Sequence, residues 1–541
     1  MRTTYGPDYP RTLGALLAWS GTDPAAPAVT DAAGRLNRRA FQDRMLRVAA
    51  ALRAGGVGPG ARVALWLPNS TAHLAAIFAC ARLGALAIHI NTRFRLAEVG
   101  NILRRSRAIA LVTQWGFPPV DFPAIFTALP PEDRAALRCV FGLQPASGVT
   151  ELAGLPVLPL DGAAADAGPD EATGATPCLT FTTSGTTSGP KLVLHDQQTI
   201  AGHAVDVTRH IGLDAADAVL LGAVPFCGTF GNAAAMAAIA GGAHVVCVAQ
   251  FDGEAAAGLI RQHRVTHVIG GDDMFGRIAA ASAGRRFDSV RFAGFAAFHS
   301  TAAASIAAAE AVGMQPCGLY GSSEVQALFS VSEGENRRLG GGVPVSKRVR
   351  LAVCDPQTSR TLPSGASGEL WIDAPSRFIE YLENPAATER AIDAEGMFRT
   401  GDLGRLAATG FVYEARLGDA MRLGGFLVSP EEIEAVIQAQ PGVAGVQVVA
   451  ASGGEADPVP VAFVRPADGA VLDEGALRSR CLEQLARFKV PERIVLVEAF
   501  PIVDSPNGPK VQRVRLREMA EALLRQQRSE PSDVPPGQYQ R

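Results

Sequence analysis

Up to about residue 400, two kinds of apolar run alternate along the chain. Ala- and Leu-rich segments with polar residues at helical intervals predict helices over residues 39–53 and 72–83, and the short apolar run at 62–67 predicts a strand. Alternation of this kind predicts parallel α/β sheets. Residues 230–251 form a charge-poor, Ala-rich run, broken by Gly241-Gly242 and containing His244. It predicts a helix followed by a buried strand (HVVCVA) rather than a membrane span. Glycine punctuation at 340–344, with strands near 349–354 and 369–372, predicts a β-rich subdomain.

Past residue 416 the pattern shifts. PEEIEAVIQAQPGV predicts an amphipathic helix entered at Pro430, GVQVVA and VPVAFV predict strands, and CLEQLARFKVP predicts a second helix stopped by Pro491. The fold class is therefore α/β: a large N-terminal domain (1–416) of stacked αβ subdomains with a β-rich part, then a small α+β domain (417–525). Residues 526–541 are polar and proline-bearing, and are expected to be a disordered tail.

Composition narrows the function. At 541 residues the length suits about three to four domain-sized units, and 48% hydrophobic against 19% charged residues supplies large cores. A net charge of −3 gives no drive toward nucleic acid or acidic lipid, and the cluster at 347–350 (KRVR) reads as a solvated strand edge. Eight cysteines are scattered with no CxxC pair, which reads as buried free thiols in a reducing compartment. MRTTYGPDYP has no signal-peptide h-region, so the expected location is the cytoplasm. His263 and His267 stand four apart, but no Glu follows His263, no third ligand is evident, and a strand start at 265–269 would break the helical spacing. A zinc site is not expected there.

The chemistry begins at residues 182–188, where every residue but Gly185 carries a hydroxyl, followed by Gly189, Pro190 and Lys191. The flanking runs CLTF and KLVLH read as buried strands, so this is a loop between ordered elements. Short donors and glycines that let backbone N–H groups turn inward suit polyphosphate. A Walker A loop is excluded: Leu192 follows Lys191 where a magnesium-binding hydroxyl is required.

The run Thr183-Ser184-Gly185-Thr186-Thr187-Ser188-Gly189-Pro190-Lys191 resembles the signature T-S-G-T-T-G-x-P-K of the adenylate-forming superfamily, which includes acyl- and aryl-CoA synthetases. Further segments resemble that family in the same order: Gly318-Leu319-Tyr320-Gly321-Ser322-Ser323-Glu324, Phe398-Arg399-Thr400-Gly401-Asp402, Arg416-Leu417-Gly418-Asp419, Arg422-Leu423-Gly424-Gly425-Phe426, and Asn507-Gly508-Pro509-Lys510. One motif alone would be weak; the ordered set covers roughly residues 11–518.

The resemblance implies ATP-dependent ligation of a carboxylic acid to coenzyme A through an acyl-adenylate. Thr183, Ser184, Gly185, Thr186, Thr187 and Lys191 would hold the β- and γ-phosphates. Glu324, with Thr183 nearby, would bind Mg2+. Tyr320 would take the adenine, with Gly318 and Gly321 beside it in the nucleotide-binding segment, Ser323 the α-phosphate, Asp402 the ribose, and Arg416 the ribose or phosphate. Lys510 would stabilise the transferring α-phosphate, and Gly418 would be the hinge about which the small domain turns to admit coenzyme A past Gly424 and Gly425. The acyl pocket would draw on Phe226, Gly228, Phe230, Gly231, Phe295, Phe298 and Val325. With no acidic residue between Val224 and Asn232 to pair a substrate ammonium, the pocket suits an aryl, alicyclic or medium-chain monocarboxylate.

The expected partners are the acid, ATP and coenzyme A, without nucleic acid or a membrane span; a homodimer is compatible. Two other readings are an acyl-AMP ligase that loads a separate carrier protein and an idle nucleotide-binding protein. The full set Glu324, Asp402, Arg416 and Lys510 argues against the second of these.

Overall fold

The computed structural model describes residues 3–118, 120–144, 148–161, 166–183, 191–296, 302–334, 337, 340–356, 358–366, 368–417, 421–423, 426–428, 430–452, 457–503 and 510–529. The chain divides into two compact units, one within residues 1–418 and the other built mainly on residues 419–541.

Two sheets organise the first unit. The strand Arg62–Trp66 shows how: Val63 and Leu65 point into one hydrophobic cluster, Ala64 and Trp66 into another. Period-two alternation thus buries both faces. The cluster holding Val63 and Leu65 also takes Val29, Leu220 and Val245 from the second sheet, so the two sheets share one helix layer. That layer contains Thr71–Arg82, Gln197–Ile211 and Thr229–Gly241, all buried nearly all round, the first and third rich in alanine. Small side chains let these helices sit close between sheets. Outer helices cover the remaining faces: Leu96–Ser106 and Phe122–Thr127 on one sheet, Gly253–Gln262 and Asp272–Ala280 on the other.

The predicted elements are found with small shifts: Arg38–Ala54, Arg62–Trp66, Thr71–Arg82, Arg350–Cys354 and Gly368–Asp373. The apolar run at 230–251 is the helix Thr229–Gly241 and the buried strand His244–Cys247, and among the described residues no helix is long and apolar enough to cross a membrane. His263 caps the helix Gly253–Gln262 while His267 lies on the strand His267–Gly271, bonded to Ile211 O and Thr266 Oγ1 at 2.8 Å each. The two histidines share no helix face. All eight cysteines are free thiols, seven of them buried, and burial pushes Cys227 up to about 11 and Cys80 up to about 12.

In the second unit, Val443–Ala451, Val459–Pro466 and Arg493–Leu496 form a three-stranded sheet, with the helices Pro430–Gln438 and Glu474–Gln484 sharing its core. The second predicted helix is displaced. It starts at Glu474 because Asp473 caps it, accepting from the Ala476 N–H at 2.8 Å, and it ends at Gln484, with only a single turn (Arg487–Lys489) before Pro491. The final helix Arg513–Ser529 runs past residue 525, where the sequence pattern suggested a tail.

Candidate active site

The strands Pro177–Thr183 and Lys191–Asp196 pair antiparallel with Thr183 opposite Lys191, so both ends of the hydroxyl-rich run are fixed. Ser184, Gly185, Thr186 and Thr187 lie outside the described residues. On the other edge of Lys191–Asp196 sits the two-residue strand Glu380–Tyr381, with Val193 opposite Tyr381. The Ile379 and Leu382 N–H groups donate to Leu194 O and Leu192 O, both at 2.8 Å. The Tyr381 ring is thereby brought beneath Lys191, whose Nζ lies 4.5 Å from the ring centroid.

Glu324 sits in the tight connection between the strands Pro316–Ser322 and Gln326–Val331. Four contacts fix that connection. The Glu324 N–H donates to Ser322 Oγ at 3.2 Å, and Glu324 O accepts from the Phe378 N–H at 2.6 Å. His195 Nε2 donates to Ser323 O at 2.7 Å, and Ser376 Oγ donates to Val325 O at 2.9 Å. The Glu324 side chain receives the Tyr381 hydroxyl on Oε1 at 2.9 Å. Gly321 is required here, because a Cβ would strike the backbone of Gln326 and Ala327. Gln326 and Leu328 adopt φ of 67° and 59°, a left-handed conformation that costs non-glycine residues about 1–3 kcal/mol each.

Beside this turn, the Tyr320 hydroxyl donates to Asp402 Oδ2 at 2.7 Å. Asp402 is almost fully buried, and its N–H donates to Thr400 Oγ1 at 3.0 Å. The Tyr320 ring packs edge-on to Phe411 with centroids 5.0 Å apart and tilts against Tyr413. It belongs to an aromatic cluster and is only 8% exposed. Arg416 lies opposite Asp402 in the adjacent strand Phe411–Arg416, though its side chain lies outside the described residues. Gly318, Tyr320 and Gly321 all lie on the strand Pro316–Ser322, with Ser323 following.

Lys510 begins the short strand Lys510–Val511 of the second unit, opposite Val503; its side chain, like Gly418, Gly424, Gly425 and Phe298 altogether, is outside the described residues. Within that unit, Arg513 Nη2 lies 3.0 Å from Glu434 Oε1, which also accepts the Val448 N–H at 2.8 Å.

The expected pocket residues separate into two groups. Phe226, Phe295 and Val325 are at most 3% exposed and belong to three different hydrophobic clusters. Gly231 is also buried, and its place is dictated by packing, since a Cβ would strike Val224 O and Pro225 O. Gly228, the residue before the helix Thr229–Gly241, and Phe230 within it are only half-buried. Two residues absent from the sequence expectation, Tyr381 and His195, take part in the site. Neither carries a motif signal.

The donor set fits a hard divalent cation. The candidate ligands, a Thr183 hydroxyl and a Glu324 carboxylate, offer only oxygen, and among the described residues no group of three His, Cys, Asp or Glu is placed to hold a metal. Mg2+ commonly binds through one or two carboxylates, completed by phosphates and water.

Comparison with known proteins agrees with this architecture. A 3-[(3aS,4S,7aS)-7a-methyl-1,5-dioxo-octahydro-1H-inden-4-yl]propanoyl:CoA ligase of Rhodococcus jostii (strain RHA1) is 29% identical over 516 residues, covering 91% of this chain and 95% of its own. The fatty acid–[acyl-carrier-protein] ligase ScoC of Streptomyces coeruleorubidus is 29% identical, covering 92% of this chain and 94% of its own. The amide bond synthetase McbA of Marinactinospora thermotolerans shares the fold with a TM-score of 0.76 at 24% identity, over 93% of this chain and 99% of its own. The profile of the AMP-binding enzyme C-terminal domain matches residues 432–506. Since the profile of AMP-binding enzymes matches residues 17–382, the chain belongs to the AMP-binding enzyme family.

Proposed function

We propose that this protein is an ATP-dependent carboxylic acid–CoA ligase acting on an apolar aryl, alicyclic or medium-chain monocarboxylate. The observation that carries the reading is the joining, within one unit, of Lys191 and Glu324 through Tyr381, with Asp402 held beside them by Tyr320. A cation for polyphosphate, a carboxylate for a metal and a carboxylate for vicinal hydroxyls form the chemistry of a nucleoside triphosphate site.

Thioester formation from a free carboxylate is uphill, so the acid first acquires a leaving group. A carboxylate oxygen attacks the α-phosphorus and pyrophosphate departs; the thiol sulfur then attacks the acyl carbon and AMP departs. Both steps depend on positioning and charge stabilisation. Lys191 and the hydroxyls from Thr183 to Thr187 hold the β- and γ-phosphates, Asp402 orients the ribose, Arg416 serves the ribose or phosphate, and Lys510 would meet charge on the α-phosphate. Glu324 and Thr183 would hold Mg2+, which neutralises phosphate charge when bound.

The substrate class rests on the pocket segment: Phe230 is partly exposed, and no acidic residue lies between Val224 and Asn232 to pair an ammonium. The Rhodococcus relative, by its name, ligates a bicyclic propanoate to CoA, which favours an alicyclic acid. The carrier-protein relative favours one alternative, transfer to a phosphopantetheinyl carrier.

The test is pyrophosphate release over a panel of aryl, alicyclic and aliphatic acids, with and without coenzyme A. Acid-dependent release with accumulation of acyl-CoA is expected. Release without thioester points to the carrier acceptor, and no release with any acid overturns the ligase reading.

A further inference from the structure

Tyr381 has two directed polar contacts that packing alone does not demand. Its backbone is fixed on both sides, by pairing opposite Val193 and by its N–H donating to Thr388 Oγ1 at 2.9 Å. Its ring is buried against Phe378, with centroids 4.8 Å apart. The two ends of this rigid side chain meet opposite charges. The ring face seats the Lys191 ammonium at 4.5 Å, and the hydroxyl donates to Glu324 Oε1 at 2.9 Å. A direct Lys–Glu ion pair would neutralise both groups against each other. An aromatic spacer keeps them apart while satisfying each, the cation by the ring quadrupole and the carboxylate by a hydrogen bond.

We infer that Tyr381 is a positioning residue that sets the spacing between the phosphate-binding ammonium of Lys191 and the metal-binding carboxylate of Glu324. The inference rests on the roles proposed above for those two residues. The hydroxyl fixes the plane of the Glu324 carboxylate, as partners of metal ligands generally do, and their loss typically weakens metal binding by about 10–100-fold. The ring acts separately, by holding Lys191 where a polyphosphate can reach it.

Because hydroxyl and ring act on different partners, two substitutions separate them. The probes are Mn2+, followed by the paramagnetic resonance of the free ion, and α,β-methylene ATP, which cannot release pyrophosphate. Tyr381→Phe keeps the ring: it is expected to weaken Mn2+ binding in the nucleotide-loaded protein by about tenfold, with nucleotide affinity in EDTA unchanged. Tyr381→Leu is expected to weaken both, the metal-free nucleotide affinity by about threefold or more. If Tyr381→Leu does not fold, Tyr381→Phe alone decides. Glu324→Gln is the reference for the underlying reading. Should Glu324→Gln lose Mn2+ while Tyr381→Phe binds it as tightly as the parent, the positioning role is overturned and the metal-site reading stands. Should Glu324→Gln keep Mn2+ unchanged, the reading of Glu324 itself fails.

Discussion

Tyr320→Phe isolates one hydrogen bond at the proposed nucleotide site. The substitution removes a single oxygen, and the ring keeps its packing against Phe411, Phe329 and Tyr413. What is lost is a 2.7 Å donation to Asp402 Oδ2, on a carboxylate only 4% exposed. A hydrogen bond to a charged group contributes about 1.5–3 kcal/mol. The Asp402 backbone does not follow, because it is held by the Thr400 hydroxyl and by pairing opposite Arg416. The loss therefore falls on the orientation of the carboxylate. If that carboxylate receives the ribose hydroxyls, AMP affinity falls about tenfold, equivalent to about 1.4 kcal/mol. The penalty is smaller with 2′,3′-dideoxy-AMP, which has no hydroxyls to lose. Calorimetric titration of both nucleotides into parent and variant measures the coupling. An equal loss for the two nucleotides, or a stability loss with AMP binding intact, would show that the Tyr320–Asp402 bond serves packing and that Asp402 does not read the ribose.

Lys510→Ala is expected to reduce acid-dependent pyrophosphate release by about 10²–10³-fold or more while preformed acyl-adenylate is still converted to thioester; equal loss of both half-reactions, measured separately, would refute a role confined to adenylation. Acid should destabilise the fold through His73 and His203, which burial holds down to about 4. Both stay neutral when folded but take up protons below about 6.5 when unfolded, so their stability contribution is complete above pH 6.5 and is lost as pH falls toward 4. At pH 5 the loss is roughly 2 kcal/mol for each, and a denaturation midpoint unchanged between pH 7 and 5 would contradict it. Gly258→Ala, in the helix Gly253–Gln262 with open space around the new methyl, should raise thermal stability by up to about 1 kcal/mol. Gly321→Ala should instead lower it and abolish pyrophosphate release, because the methyl meets backbone across the strand pair; a soluble, fully active Gly321→Ala would remove the steric argument.

Much of this site could be read in the sequence because its parts are local. CLTF and KLVLH signal strands by short-range pattern, and they pair directly with each other across the run they flank. Glu324 and Asp402 stand in short contiguous segments that resemble the adenylate-forming family; by residue type alone Asp402 would read as a turn aspartate, yet it lies within the strand Phe398–Leu406. Tyr381 could not be found that way. It reaches Glu324 from 57 residues further along the chain, on a two-residue strand too short to show any periodicity. The pocket aromatics are hard to read for a different reason. An apolar side chain beside a motif looks the same whether it faces a ligand or a core. Phe226 turns its ring toward His73, and its N–H donates to Asn69 Oδ1 at 2.7 Å, so the element that fixes it is the loop before Thr71–Arg82, more than 150 residues upstream. The left-handed Gln326 had no sequence sign at all, since that conformation usually calls for Gly, Asn or Asp.

That backbone strain bears on why Glu324 stands where it does. Two left-handed residues in a six-residue strand cost roughly 2–6 kcal/mol together, so the conformation persists only if the surroundings over-determine it. They do. Gln326 Nε2 donates to Thr199 O at 2.8 Å and to Ser376 O at 3.3 Å, and Ser376 Oγ donates back to Val325 O. His195 and Phe378 hold Ser323 and Glu324 through their carbonyls. Together these five bonds tie the 322–326 turn to three segments: the Lys191–Asp196 strand, the start of the Gln197–Ile211 helix, and the stretch leading to Tyr381. At about 1 kcal/mol net each, they match the strain in magnitude. A relaxed turn would need none of them, whereas the role proposed for Glu324, presenting one fixed oxygen to a cation, needs a backbone unable to drift. Replacing Gln326 by Leu removes two of these bonds with little change in volume. The strained turn should then relax, and Glu324 should lose its register with Tyr381 and Lys191 before the fold itself is lost.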